Sequence, residues 1–183
     1  MSEPARSSAV LTLANLVTVA RLCAVPAAIY LVLHAAFPAA FWLFLAAGAS
    51  DAVDGWLARR HGASYVGALL DPVADKALLI SMYVVLAVMR VLPDWLAILV
   101  VFRDVLIVGG VLGLNLLGQK PSIRPLLVSK FNTAVQIVLV AVALGMAALA
   151  WPGQIVVETL VWIVAATTTI SGAAYVARAA RLG

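Results

Sequence analysis

The chain has 183 residues, of which 65% are hydrophobic and 11% charged, against about 45–50% apolar and about 25% charged for an average soluble domain. This composition, with a mean hydropathy of +1.12, excludes a water-soluble globular domain and a disordered chain and points to a polytopic membrane protein. The net charge of +4 suits orientation in a bilayer and contact with anionic head groups rather than nucleic acid, and the single cysteine, Cys23, excludes an intrachain disulfide.

In chain order, residues 1–12 form a short polar segment, read as cytoplasmic and without a removable signal peptide. Six apolar stretches follow, at 13–36, 37–59, 67–91, 92–117, 126–151 and 154–177. Each reaches the roughly 20 residues that span a bilayer. Turn residues separate them: Phe37-Pro38, Arg60-His61-Gly62, Pro93-Asp94, Gly118-Gln119-Lys120-Pro121 and Trp151-Pro152-Gly153. The runs are too long and continuous for the alternating strands of a membrane barrel. The expectation is an all-α integral membrane protein, one domain over 1–183, with six transmembrane helices. Arg6, Arg59, Arg60, Lys120, Arg124, Lys130, Arg178 and Arg181 fall on one side of such a bundle, and Arg90 alone on the other. That asymmetry puts both termini in the cytoplasm.

The acids are the informative residues, because an aspartate at the centre of a spanning helix costs on the order of 2.5–3.5 kcal/mol to insert. Asp51 and Asp54 are three apart in span two, and Asp71 and Asp75 four apart in span three, so each pair shares one helix face. A short turn joins the two spans, which are expected to be antiparallel neighbours that bring all four carboxylates together. Unneutralised, such a nest would repel itself and partly protonate. Two divalent cations would neutralise it, and an all-oxygen donor set favours hard metals such as Mg²⁺, Mn²⁺ or Ca²⁺ over Zn²⁺. Gly55, beside Asp54, leaves room for a bulky group against the helix.

Plainer readings compete. Asp71 could cap a helix that starts at Pro72. Asp104 could balance the adjacent Arg103, Asp94 and Glu158 could be interfacial or locally paired, and Lys76 could pair with a carboxylate. The quartet as a whole could serve an ion or proton relay of a transporter, and a purely structural membrane partner is a third reading.

The constellation resembles the signature of the CDP-alcohol phosphatidyltransferase family, D-x2-D-G-x2-A-R followed by G-x3-D-x3-D. Here it reads Asp51, Asp54, Gly55, Ala58, Arg59, then Gly67, Asp71 and Asp75, with seven residues between Arg59 and Gly67. Arg103-Asp104-Val-Leu-Ile, Lys120-Pro121-Ser122 and Ser129-Lys130-Phe-Asn132-Thr133-Ala-Val-Gln136 resemble the branch that holds the mitochondrial-type cardiolipin synthases. Phosphatidylglycerophosphate synthases carry a related stretch.

The resemblance implies a six-span fold that takes CDP-diacylglycerol as donor and releases CMP. It implies two divalent cations, Mg²⁺ or Mn²⁺, with Asp51, Asp54 and Asp71 as ligands and Asp75 as both ligand and general base. Gly55, Ala58, Arg59 and Gly67 would line the CDP pocket, helped by Asn15 and Thr18. Arg103, Lys120, Arg124 and Lys130 would bind the phosphate of an anionic acceptor; plain positive-inside charge is the alternative for them. Arg21 is either a phosphate ligand or the partner of an aspartate. The implied acceptor is phosphatidylglycerol, giving cardiolipin, or else glycerol 3-phosphate. A homodimer in a bacterial cytoplasmic membrane, with its active site facing the cytoplasm, completes the expectation.

Overall fold

The computed structural model describes the backbone of residues 13–61, 65–116 and 127–179, and the side chains of 19–50, 76–110 and 127–178. Among the described residues the chain is all helix: α1 Leu13–Leu33, α2 Phe37–His61, α3 Tyr65–Val88, α4 Asp94–Leu116, α5 Leu127–Leu149 and α6 Gln154–Ala179. By length and composition two of their described stretches, Leu127–Leu149 and Gln154–Arg178, can each cross a membrane, and shorter apolar stretches lie in α1, α2 and α3.

Three turns at one end of the bundle are built alike. Ala35, Arg90 and Ala150 take left-handed backbone, with φ of 55°, 60° and 49°. The following amides reach back five residues, from Ala36 to the Leu31 carbonyl (2.9 Å), from Val91 to Leu86 (2.9 Å) and from Trp151 to Met146 (3.2 Å). This closure satisfies the last helical carbonyls and reverses the chain within a few residues. It corrects the expected first turn. The reversal is at 34–36, and Phe37-Pro38 opens α2, where a proline's missing N–H costs nothing.

The helices pack in a ring, α1–α3–α4–α6–α5–α2 and back to α1, with α3 and α5 touching across the middle. Over the described residues α1 therefore packs against both α2 and α3, which make no comparable contact with each other. The expected pairing of α2 and α3 concerns the ends that the short turn joins. The Asp-bearing ends lie outside the described side chains. Tyr83, Met82 and Leu86 of α3 and Leu139, Val140 and Leu144 of α5 are fully or almost fully buried. Gly145 lets α5 come close to α2: a Cβ there would lie 3.3 Å from the Phe41 ring.

Polarity runs the wrong way for a protein in water. Trp42, Ile98, Phe102, Leu127, Ile155 and Trp162 are exposed, while Arg103, Asp104, Asn132, Gln136, Thr168 and Ser171 are buried. An apolar exterior, with charged and polar side chains turned inward among the apolar core, is the distribution expected where lipid is the solvent.

Candidate active site

The eight signature residues fall on two uninterrupted helical segments, Asp51 to Arg59 in α2 and Gly67 to Asp75 in α3. At about 100° per residue, Asp51, Asp54, Gly55 and Ala58 share one face of α2, and Gly67, Asp71 and Asp75 one stripe of α3. The backbone thus keeps the register that lets two carboxylates per helix act together. The side chains of these residues, and those of Asn15 and Thr18 on α1, lie outside the described residues, as do Lys120 and Arg124 altogether.

The helix bounds correct one alternative. Because α3 begins at Tyr65, Asp71 lies in its second turn and does not cap it. Pro72 is then inside the helix, where its missing N–H removes one backbone hydrogen bond. Neither residue is explained by a helix start. No group of three or more His, Cys, Asp or Glu residues able to hold a metal ion occurs among the described residues. The quartet on α2 and α3 lies outside the described side chains. Its donor chemistry, four carboxylates at helical spacing and no sulfur or imidazole, fits hard divalent cations.

Directly after Asp75, a buried charge cluster joins four helices. Lys76 of α3 donates from Nζ to Asp104 Oδ2 of α4 at 2.7 Å. Arg103 donates from Nη1 to the other oxygen of Asp104, also at 2.7 Å. Its Nη2 donates to Ser129 Oγ of α5 and Ser171 Oγ of α6, each at 2.6 Å. The guanidinium also lies 6.0 Å from the centre of the Tyr175 ring, within cation–π range. Arg103 and Asp104 are both buried, whereas 38% of the Lys76 side chain is exposed. Arg103 Nε is buried without a partner.

A second polar seam continues towards the middle of the bundle. Asn132 Oδ1 accepts from Thr167 (2.8 Å) and Thr168 (2.9 Å), Gln136 Nε2 donates to Thr168 Oγ1 (3.3 Å), and the Tyr83 hydroxyl donates to the Gln136 carbonyl (3.3 Å). Such interhelical bonds hold helices together where hydrocarbon on both sides removes the hydrophobic drive.

Of the sequence-based acceptor set, Arg103 is thus tied to protein partners, and Lys130 is exposed on α5. Arg21 is buried on α1. The balancing role considered for Asp104 holds, but Asp104 also reaches Lys76, as the pairing considered for Lys76 anticipated. Asp94 is paired locally with Arg90 at 2.7 Å. Sequence reasoning missed Ser129, Ser171 and Tyr175 as partners of Arg103. Beside the cluster lies a cavity of about 460 Å³ between α3, α4 and α5.

The family model of the CDP-alcohol phosphatidyltransferases matches residues 11–173. The chain is 35% identical, over 96% of its length, to a fusion protein of Schizosaccharomyces pombe named cardiolipin synthase (CMP-forming) / mitochondrial hydrolase, of which it covers 32%. It is 30% identical to human cardiolipin synthase (CMP-forming), over 90% of this chain and 60% of that protein. It is 33% identical to a probable phosphatidylglycerophosphate synthase of Mycobacterium tuberculosis, over 92% of this chain and 82% of that one. The chain thus spans less than two thirds of the yeast and human relatives.

Proposed function

The chain belongs to the CDP-alcohol phosphatidyltransferase family, and from that premise we propose that it transfers the phosphatidyl group of CDP-diacylglycerol to the hydroxyl of an acceptor, with release of CMP. One observation carries the reading: all eight signature residues, Asp51 to Arg59 and Gly67 to Asp75, occur on unbroken helix within the matched region. Membership favours the transferase over the ion relay as the use of the four acids.

In this reading Asp51, Asp54 and Asp71 hold two divalent cations, Mg²⁺ or Mn²⁺, together with Asp75. When bound, such ions neutralise the pyrophosphate and the departing oxygen. Asp75 accepts the proton of the acceptor hydroxyl. The freed oxygen attacks the phosphatidyl phosphorus in line, the new P–O bond forms, and the bond to CMP breaks. Gly55, Ala58 and Gly67 leave space for the cytidine, with Asn15 and Thr18 at its edge, and Arg59 offers a fork of donors to phosphate. Arg103, Lys120, Arg124 and Lys130 supply positive charge on the acceptor side.

The preferred acceptor is phosphatidylglycerol, which makes the product cardiolipin; the names of the yeast and human relatives support this. Glycerol 3-phosphate is the second reading, supported by the name of the mycobacterial relative and its 82% coverage. We further propose a single domain over residues 1–183 with six spans. Both termini and the Asp-bearing ends face the cytoplasm of a bacterial inner membrane, and two copies pair as a homodimer.

The test is to incubate the purified chain with labelled CDP-diacylglycerol and, separately, with phosphatidylglycerol or glycerol 3-phosphate. Metal-dependent CMP release with labelled cardiolipin is the expected result. Labelled phosphatidylglycerophosphate instead selects the second reading, and no CMP with any acceptor hydroxyl refutes both.

A further inference from the structure

The end of the bundle closed by the turns at Ala35, Arg90 and Ala150 lies opposite the Asp-bearing ends of α2 and α3, and it holds another cavity. This one measures about 630 Å³ and lies between the α3–α4 and α5–α6 turns. Leu92, Met146 and Val157 line its apolar part, and Arg90, Asp94 and Glu158 its polar part. Gly153 shapes it. A Cβ there would lie 2.5 Å from Met146 Sδ, so the absent side chain lets the α5–α6 turn fold down over Met146. Aromatic side chains surround this end. Trp151 lies in the α5–α6 turn, and Trp42, Trp95 and Trp162 in the halves of α2, α4 and α6 next to the turns. All four are exposed. Exposed tryptophan gathers at the level of the lipid head groups, which sets the cavity mouth at that level.

The polar part carries one negative charge in excess. Arg90 is paired with Asp94, whereas Glu158 has no ion-pair partner among the described residues. The Arg90 guanidinium has five N–H donors and uses one on Asp94. A fork of donors and a carboxylate therefore face one cavity, with apolar side chains beside them. A head group that satisfies both carries a phosphate and an ammonium. We propose that the cavity binds a zwitterionic aminophospholipid with the chemistry of phosphatidylethanolamine, in the leaflet opposite the Asp-bearing ends. The phosphate rests on Arg90, the primary ammonium donates to Glu158, and one acyl chain lies along Leu92, Met146 and Val157. The excess negative charge disfavours phosphatidylglycerol, whose head group has no cation. Phosphatidylcholine has a cation but no N–H to give the carboxylate. The site goes beyond the phosphatidyltransferase reading and uses none of the residues assigned in it.

Glu158 provides the probe, since it is exposed and its replacement breaks no ion pair among the described residues. The full chain is placed in nanodiscs with a trace of phosphatidylethanolamine that carries a photoreactive group high on one acyl chain. The label should fall mainly within residues 143–161, the part of α5, the turn and α6 that lines the cavity. Unlabelled phosphatidylethanolamine should compete about threefold to fivefold better than phosphatidylglycerol or phosphatidylcholine, the scale of one exposed ion pair. Glu158→Gln should remove that preference. Glu158→Lys, which makes the excess charge positive, should reverse it in favour of phosphatidylglycerol. Labelling spread evenly over the lipid-facing sides of the helices, equal competition by the three lipids, or an unchanged order in Glu158→Lys overturns the site.

A second arm needs no photolabel. A lipid that joins the α3–α4 turn to the α5–α6 turn stabilises the folded chain by mass action. Phosphatidylethanolamine added to the chain in detergent should therefore raise its melting temperature more than the same amount of phosphatidylglycerol, and Glu158→Gln should abolish the difference. Equal shifts with both lipids in the wild-type chain, or a difference that survives in Glu158→Gln, contradict the proposal. Neither arm uses turnover, so a chain that releases no CMP refutes the transferase reading and leaves this test intact.

Discussion

Asp104→Asn tests the charge cluster with almost no change in shape. Asp104 is buried and accepts two charge-assisted hydrogen bonds, from Arg103 and from Lys76, each at 2.7 Å. The two pairs are not equal. The Arg103 side chain is 4% exposed, and that of Lys76 38%. Removing the counter-charge of the buried guanidinium leaves it uncompensated, which costs about 3–5 kcal/mol. The half-exposed ammonium recovers water, so its share is at most about 1 kcal/mol. For a chain of this size, about 2–4 °C of melting temperature accompanies each kcal/mol, so a loss of roughly 10 °C is expected. The assay is thermal unfolding in detergent, followed by loss of monodisperse elution. Lys76→Met alone should move the transition by only a few degrees, about 1 kcal/mol. The double variant should fall short of the sum of the single losses, because the two residues share one bond. An Asp104→Asn chain as stable as the wild type, or a Lys76→Met loss as large as that of Asp104→Asn, refutes the reasoning.

Three further outcomes follow from the same geometry. Asp75→Asn should lower the rate of CMP release by about 10²–10⁴-fold, the usual contribution of a general base, with an unchanged melting temperature; full activity removes Asp75 from that role. Asn132→Leu strips Thr167 and Thr168 of their shared acceptor and should cost about 1–2 kcal/mol, read as a lower melting temperature. Gly145→Leu should drive α2 from α5 through the Phe41 ring and cost about 1–3 kcal/mol in the same assay.

Hydropathy made the six apolar stretches legible, because insertion in a bilayer depends on length and apolar content, which are properties of sequence alone. The ring order was not legible. Helices that are apolar all round carry no stripe that names a neighbour, and so α1 between α2 and α3 comes as a finding. Proline marked the neighbourhood of the three turns, but their left-handed residues Ala35, Arg90 and Ala150 were hidden because none is a glycine. Arg103 and Asp104 were conspicuous through their insertion cost. Their bonds to Ser129, Ser171 and Lys76 cross between helices and involve residue types too common to stand out. The four aspartates stood out by their helical spacing, which the backbone of α2 and α3 keeps.

The most direct measurement is a Mn²⁺ titration of the purified chain in nanodiscs, followed by electron paramagnetic resonance. The account predicts two bound Mn²⁺ per chain, magnetically coupled to each other, and loss of both in a chain with Asp51, Asp54, Asp71 and Asp75 all changed to Asn. Binding that survives those four substitutions, or a wild-type chain that binds isolated ions or none, contradicts it.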